Sequence, residues 1–180
     1  MNDQDRYMKY VDKSCVRKCL KNGDVIRAID ILDRSTFPYL FLHVLRDFNT
    51  YVRKGNNDMR TYALISNVML KFNFDSIKHE PGKSDEQTDQ RRYDALLLAS
   101  AVGCGDVALR MLKCLEDSDT YSLHSGGEYG LVIAAFENES KRTRRCNEWE
   151  EVKRCFEVRL NQQTDPPPNI VKQFIYIAVR

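Results

Sequence analysis

Apolar residues recur at three- and four-residue spacing through most of the chain, and short polar or glycine-bearing junctions interrupt them, a pattern that predicts amphipathic helices joined as hairpins. The clearest pair is Tyr93 to Leu115. Its first run is built from Ala and Leu, Gly103-Cys104-Gly105 stops it, and Asp106 is placed to cap the second run. An earlier pair begins with a helix over Gln4 to Leu20, whose apolar stripe is Met8, Val11, Cys15 and Cys19. Asn22-Gly23-Asp24 then supplies a stop, a turn and an N-cap for Val25 to Leu32. Ser35-Thr36-Phe37-Pro38 is a helix-entry signal for Tyr39 to Arg53, whose apolar surface is wide enough for a central helix. Asp58 to Phe72 follows with a similarly broad arc.

From Asp75 to Gln90 the apolar periodicity is lost and Pro81-Gly82 intervenes, which predicts a long exposed polar insertion. Asp117 to Gly127 reads as a turn. Glu128 to Phe136 restarts the pattern, a basic loop is expected over Glu137 to Cys146, and Asn147 to Leu160 reads as an amphipathic helix with Trp149, Val152, Phe156 and Leu160 inward. Pro166-Pro167-Pro168-Asn169 breaks it before a last apolar helix over Ile170 to Arg180, whose hairpin partner is not in the sequence. The expectation is therefore an all-α chain, residues 1–180 forming one domain of about four irregular hairpins plus a final helix.

Composition narrows the function classes. A content of 42% hydrophobic and 30% charged residues suits a globular core. A formal net charge of +2 does not by itself predict nucleic-acid binding, so local clustering of cations has to carry any such reading. Two clusters exist. Lys9, Lys13, Arg17 and Lys21 recur every four residues along one side of the first helix, either as a solvated face or as a phosphate-contacting one. Lys141, Arg142, Arg144 and Arg145 crowd into five residues, which also suits either a solvated loop or a phosphate site. No run of about 18 apolar residues predicts a membrane span, and the opening residues lack the basic-then-apolar order of a secretory signal and the Arg-rich, acid-poor character of a transit peptide.

Six cysteines form no C-x-x-C pair. Cys15 and Cys19, four apart, could share a metal, but no second pair completes the pattern, and buried free thiols are expected with no metal or cofactor. His43, His79 and His124 are isolated from one another in sequence. Asp94, His124, Glu128 and Glu137 form no motif that assigns nucleophile, base and oxyanion donor, so a non-catalytic protein is expected.

The hairpins begin near Asp12, Pro38, Tyr93, Tyr129 and Lys172, at intervals of about 26, 55, 36 and 43 residues. Tyr93-Asp94-Ala95-Leu96-Leu97 with Gly105-Asp106-Val107-Ala108-Leu109 resembles the pentatricopeptide repeat family. So does Tyr129 to Ala135 with Trp149-Glu150-Glu151-Val152 and Pro168-Asn169-Ile170-Val171, and the likeness covers about half the chain. The resemblance implies a right-handed α-solenoid of the tetratricopeptide-like kind that binds single-stranded RNA, one base per repeat, in a mitochondrion or other organelle, the cytoplasm being the alternative. The positions that read bases in that family would be Asp94 with Ser125, and Gly130 with Asn169. Asp94 and Gly130 depart from the Asn, Ser or Thr usual there, and Gly130 offers no side chain to a base edge. Phosphate neutralisation by the two cation clusters is then the mechanism left. The alternative is a protein-interaction scaffold, ankyrin-like or tetratricopeptide-like, although no T-P-L-H occurs.

Overall fold

A computed structural model describes residues 3–55, 58–124, 127–143, 150 and 154. Among them every regular element is helical: α1 (Asp3–Lys21), α2 (Val25–Arg34), α3 (Leu40–Arg53), α4 (Met59–Lys71), a 3-10 turn (Phe74–His79), α5 (Asp85–Val102), α6 (Gly105–Glu116) and α7 (Gly127–Thr143). Where the sequence reads as one continuous domain, the chain divides into two compact units, the second beginning at Asp85.

In the first unit α1 packs on α2 and on α3, and α2 packs on α4. The junction between α1 and α2 forms as its residues dictate: Gly23 takes a φ of 79°, and Asp24 accepts the Arg27 amide at 3.1 Å. The packed face of α1 differs from the expected stripe. Val16 and Leu20 are buried, whereas Met8 and Cys15 are exposed. An aliphatic pair one turn apart gives up more apolar surface than a thioether and a thiol, so the helix turns that pair inward. The central role expected for α3 is matched by eight buried residues, Leu40, Phe41, Leu42, Val44, Leu45, Phe48, Tyr51 and Val52. Phe41 also meets Phe72 and Phe74 edge-on at 5.4 and 6.3 Å.

The segment read as an exposed polar insertion at 75–90 is exposed over residues 81–87, but it is helical on both sides of Pro81-Gly82. Phe74 and Ile77 are buried in the 3-10 turn, and Glu80, also buried, lies 2.8 Å from His43 Nε2. α5 begins at Asp85, eight residues before Tyr93, with Asp85 and Glu86 favoured in its first turn by the helix dipole. Apolar periodicity misses this stretch because two of its inward residues, Asp89 and Arg92, are charged and satisfy one another, Arg92 Nη1 lying 2.6 Å from Asp89 Oδ1.

The second unit is a mutual packing of α5, α6 and α7. Cys104, not Asp106, is the N-cap residue of α6, and it makes no side-chain capping bond; Asp106 falls in the first turn. The helix begins early because Gly103, with φ 78°, reverses the chain at once. α7 also runs seven residues beyond Phe136, so the expected basic loop is helical to Thr143. The remaining expectations, for Asn147 to Leu160 and Ile170 to Arg180, lie outside the described residues.

Candidate functional site

The outer face of α1 is defined by what the helix buries. With Val16 and Leu20 inward, Tyr7, Tyr10, Ser14, Lys18 and Lys21 follow one another at three- and four-residue spacing on the opposite side. Tyr7 is 67% and Tyr10 73% exposed, the most solvent-open aromatic rings of the described residues. Lys18 and Lys21 are exposed in the last turn of α1, with no ion-pair partner among the described residues. From Arg6 to Lys21 the sequence holds six cations and one carboxylate, Asp12. That carboxylate is turned to another side, where it accepts the Ser35 hydroxyl at 2.6 Å. The face is thus aromatic at one end and cationic at the other, over about 21 Å at 1.5 Å per residue.

The expected basic stripe divides between this face and the packed seam. Lys9 is half-buried, its Nζ 4.3 Å from the centroid of the Phe37 ring, and Lys13 is half-buried as well. Arg17 Nε donates to Asp47 on α3 at 2.9 Å, and Lys21 alone of the four stays open to solvent without an ion pair among the described residues. Tyr7, Tyr10 and Lys18 escape a reading of charge spacing alone; they become visible only once the buried face is placed on Val16 and Leu20.

In the second unit Lys141 pairs with Glu137 at 2.8 Å, and Arg142 Nη2 donates to the Gly103 carbonyl at 2.8 Å. Arg142 therefore ties α7 to the junction before α6. Asp94 is buried and accepts Gln90 Nε2 at 3.1 Å, and Gly130 is buried within α7. Arg144, Arg145, Ser125 and Asn169 lie outside the described residues.

A second polar arrangement gathers the connection between α6 and α7. Asp89 accepts the hydroxyls of Ser118 and Thr120 together with Arg92. Burial alone would raise its pKa, but these donors outweigh it and hold the carboxyl below its ordinary range. Glu128, 1% exposed, accepts the Tyr121 hydroxyl at 2.8 Å, the His124 amide at 3.0 Å, and lies 2.9 Å from His124 Nδ1. Its pKa is likewise lowered against the effect of burial, while burial and Glu128 push the Tyr121 phenol up. Of the four polar residues singled out from sequence, the structure brings together His124 and Glu128 and leaves Asp94 and Glu137 in other pairings. The bonding of Glu128 to the chain just before α7 is that of a side chain fixing a helix entry.

Between α1 and α2 runs an open groove of about 710 Å³, lined among others by Met8, Cys15, Cys19 and Ile31. Its lining also mixes Asp12, Asp24 and Asp30 with Lys18, Arg27 and Arg34. Among the described residues no group of three or more His, Cys, Asp or Glu is placed to hold a metal ion, and no helix is long and apolar enough to cross a membrane. Comparison with protein-family models, with curated proteins and with solved structures finds no match for the chain.

Proposed function

We propose that this is a non-catalytic helical-repeat protein that binds single-stranded RNA along the outer face of α1. The observation that carries the reading is the alignment of two exposed tyrosines with Lys18 and Lys21 on a helix side free of carboxylates from Arg6 to Lys21. Single strands are held without strong sequence preference by aromatic rings on which bases stack and by cations that follow the backbone. The burial of Asp94 and Gly130 directs the reading to this mode and away from base-by-base readout. In the first unit α1 and α2 pack as a hairpin, α1 also meets α3 and α2 meets α4, and this layering of one hairpin on the next helices supports an α-solenoid.

The groove between α1 and α2 favours a second reading, a scaffold for a protein partner, because its lining of acidic, basic and apolar side chains suits a protein surface better than a polyanion. Fluorescence anisotropy with a labelled oligoribonucleotide at two salt concentrations separates the two. The RNA reading predicts binding that weakens with salt, and a log–log slope reduced by about 1.4 when Lys18 and Lys21 become Ala, at about 0.7 per phosphate released. Absence of binding at low salt would leave the scaffold reading.

A further inference from the structure

We propose that Cys15 and Cys19 form a two-thiolate site for one soft monovalent cation, Cu(I), in the groove between α1 and α2. Both are free thiols, Cys15 exposed and Cys19 half-buried, and both line that groove. Four residues apart on one helix, their Cβ atoms are separated by about 5–6 Å. A disulfide needs about 3.5–4.5 Å, so an intact α1 keeps the pair reduced. With metal–sulfur bonds near the zinc–thiolate value of about 2.3 Å, two sulfurs in line stand about 4.6 Å apart, a spacing within the range that χ1 rotation gives side chains four residues apart on a helix.

The donor set selects the ion. No third His, Cys, Asp or Glu among the described residues is placed to complete a metal site, which leaves tetrahedral zinc without its four ligands. Thiolates are soft donors that suit Cu(I), zinc and iron–sulfur clusters, and of these Cu(I) alone is satisfied by two sulfurs in line. On binding, each thiol releases its proton to solvent and each sulfur donates an electron pair to the ion, giving a complex of net charge −1 with no change of oxidation state. The groove opens to solvent, so the ion has an entry path.

The test is an anaerobic titration of the reduced full-length protein with Cu(I) against a chromophoric Cu(I) chelator, comparing wild type with C15S, C19S and C114S. Cys114 is a half-buried free thiol outside the groove and serves as the control. The proposal predicts that C15S and C19S each lose one molar equivalent of tightly held Cu(I) while C114S retains it. Unchanged stoichiometry in C15S and C19S, or an equal loss in C114S, would overturn it. Helicity measured by circular dichroism accompanies each variant, and Cys15→Ala and Cys19→Ala replace any serine variant that loses helix content.

Discussion

Asp89 and Glu128 are carboxylates placed where a carboxylate is costly, and each recovers that cost by accepting hydrogen bonds from the connection between α6 and α7. Removing the acceptor charge while keeping the shape leaves those donors underserved. Glu128→Gln is therefore expected to lower the stability of the second unit by about 1–3 kcal/mol, read as a shift in denaturant midpoint without a change in slope. A loss under about 0.5 kcal/mol, the range of ordinary surface changes, would contradict the role given to Glu128. The pH dependence follows from the sign of the shifts. Both carboxyls are depressed on folding, so their contribution is complete above the ordinary carboxylate range and is lost as pH falls through the depressed values. Thermal melts between neutral pH and strongly acidic conditions should show a decline that is shallower in an Asp89→Asn, Glu128→Gln double variant than in wild type.

The turn between α5 and α6 depends on two glycines for different reasons. A Cβ on Gly105 would sit 2.5 Å from the Phe136 ring, and one on Gly103 would sit 2.5 Å from the Glu139 amide nitrogen, at a φ of 78° that side chains resist. Gly105→Ala meets a side chain that can shift, and overpacking of this kind costs about 1–3 kcal/mol. Gly103→Ala meets backbone and adds dihedral strain, so it is expected to be the more destabilising of the two by chemical denaturation; the opposite order would contradict the close approach of α7. Both glycines could be recognised as helix punctuation in the sequence, but their contact with α7 could not, because it is a tertiary proximity. Helix boundaries followed the same division. Entries and stops made by local chemistry, such as Gly23-Asp24, were readable. The early start of α5 and the extension of α7 were not, because Asp89 and Arg142 are polar residues that pack by virtue of partners elsewhere in the chain, Ser118 and Thr120 for the one and the Gly103 carbonyl for the other.

For the protein as a whole, the net charge of +2 conceals an uneven distribution, and that unevenness carries the functional reading. The segment from Arg6 to Lys21 puts six cations and one carboxylate on one helix, and packing then sorts the cations: Lys9 and Lys13 toward the seam, Arg17 to Asp47, Lys18 and Lys21 to solvent beside the line of Tyr7 and Tyr10. The periodicity of the cations was legible in the sequence. Which of them face water was not, since that depends on Val16 and Leu20 winning the packed face from Met8 and Cys15. Because Tyr7 and Tyr10 are exposed, replacing them should leave stability within about 0.5 kcal/mol and alter binding alone. The most direct measurement is therefore the affinity of a labelled single-stranded oligoribonucleotide for wild type and for a Tyr7→Ala, Tyr10→Ala variant at one fixed low salt concentration, where the charge of the two proteins is identical. Stacking of one base on each ring predicts a loss of about 2–6 kcal/mol in binding free energy, at about 1–3 kcal/mol per base. Equal affinities for the two proteins, or no binding by either, would contradict the assignment of the outer face of α1 as an RNA-binding surface.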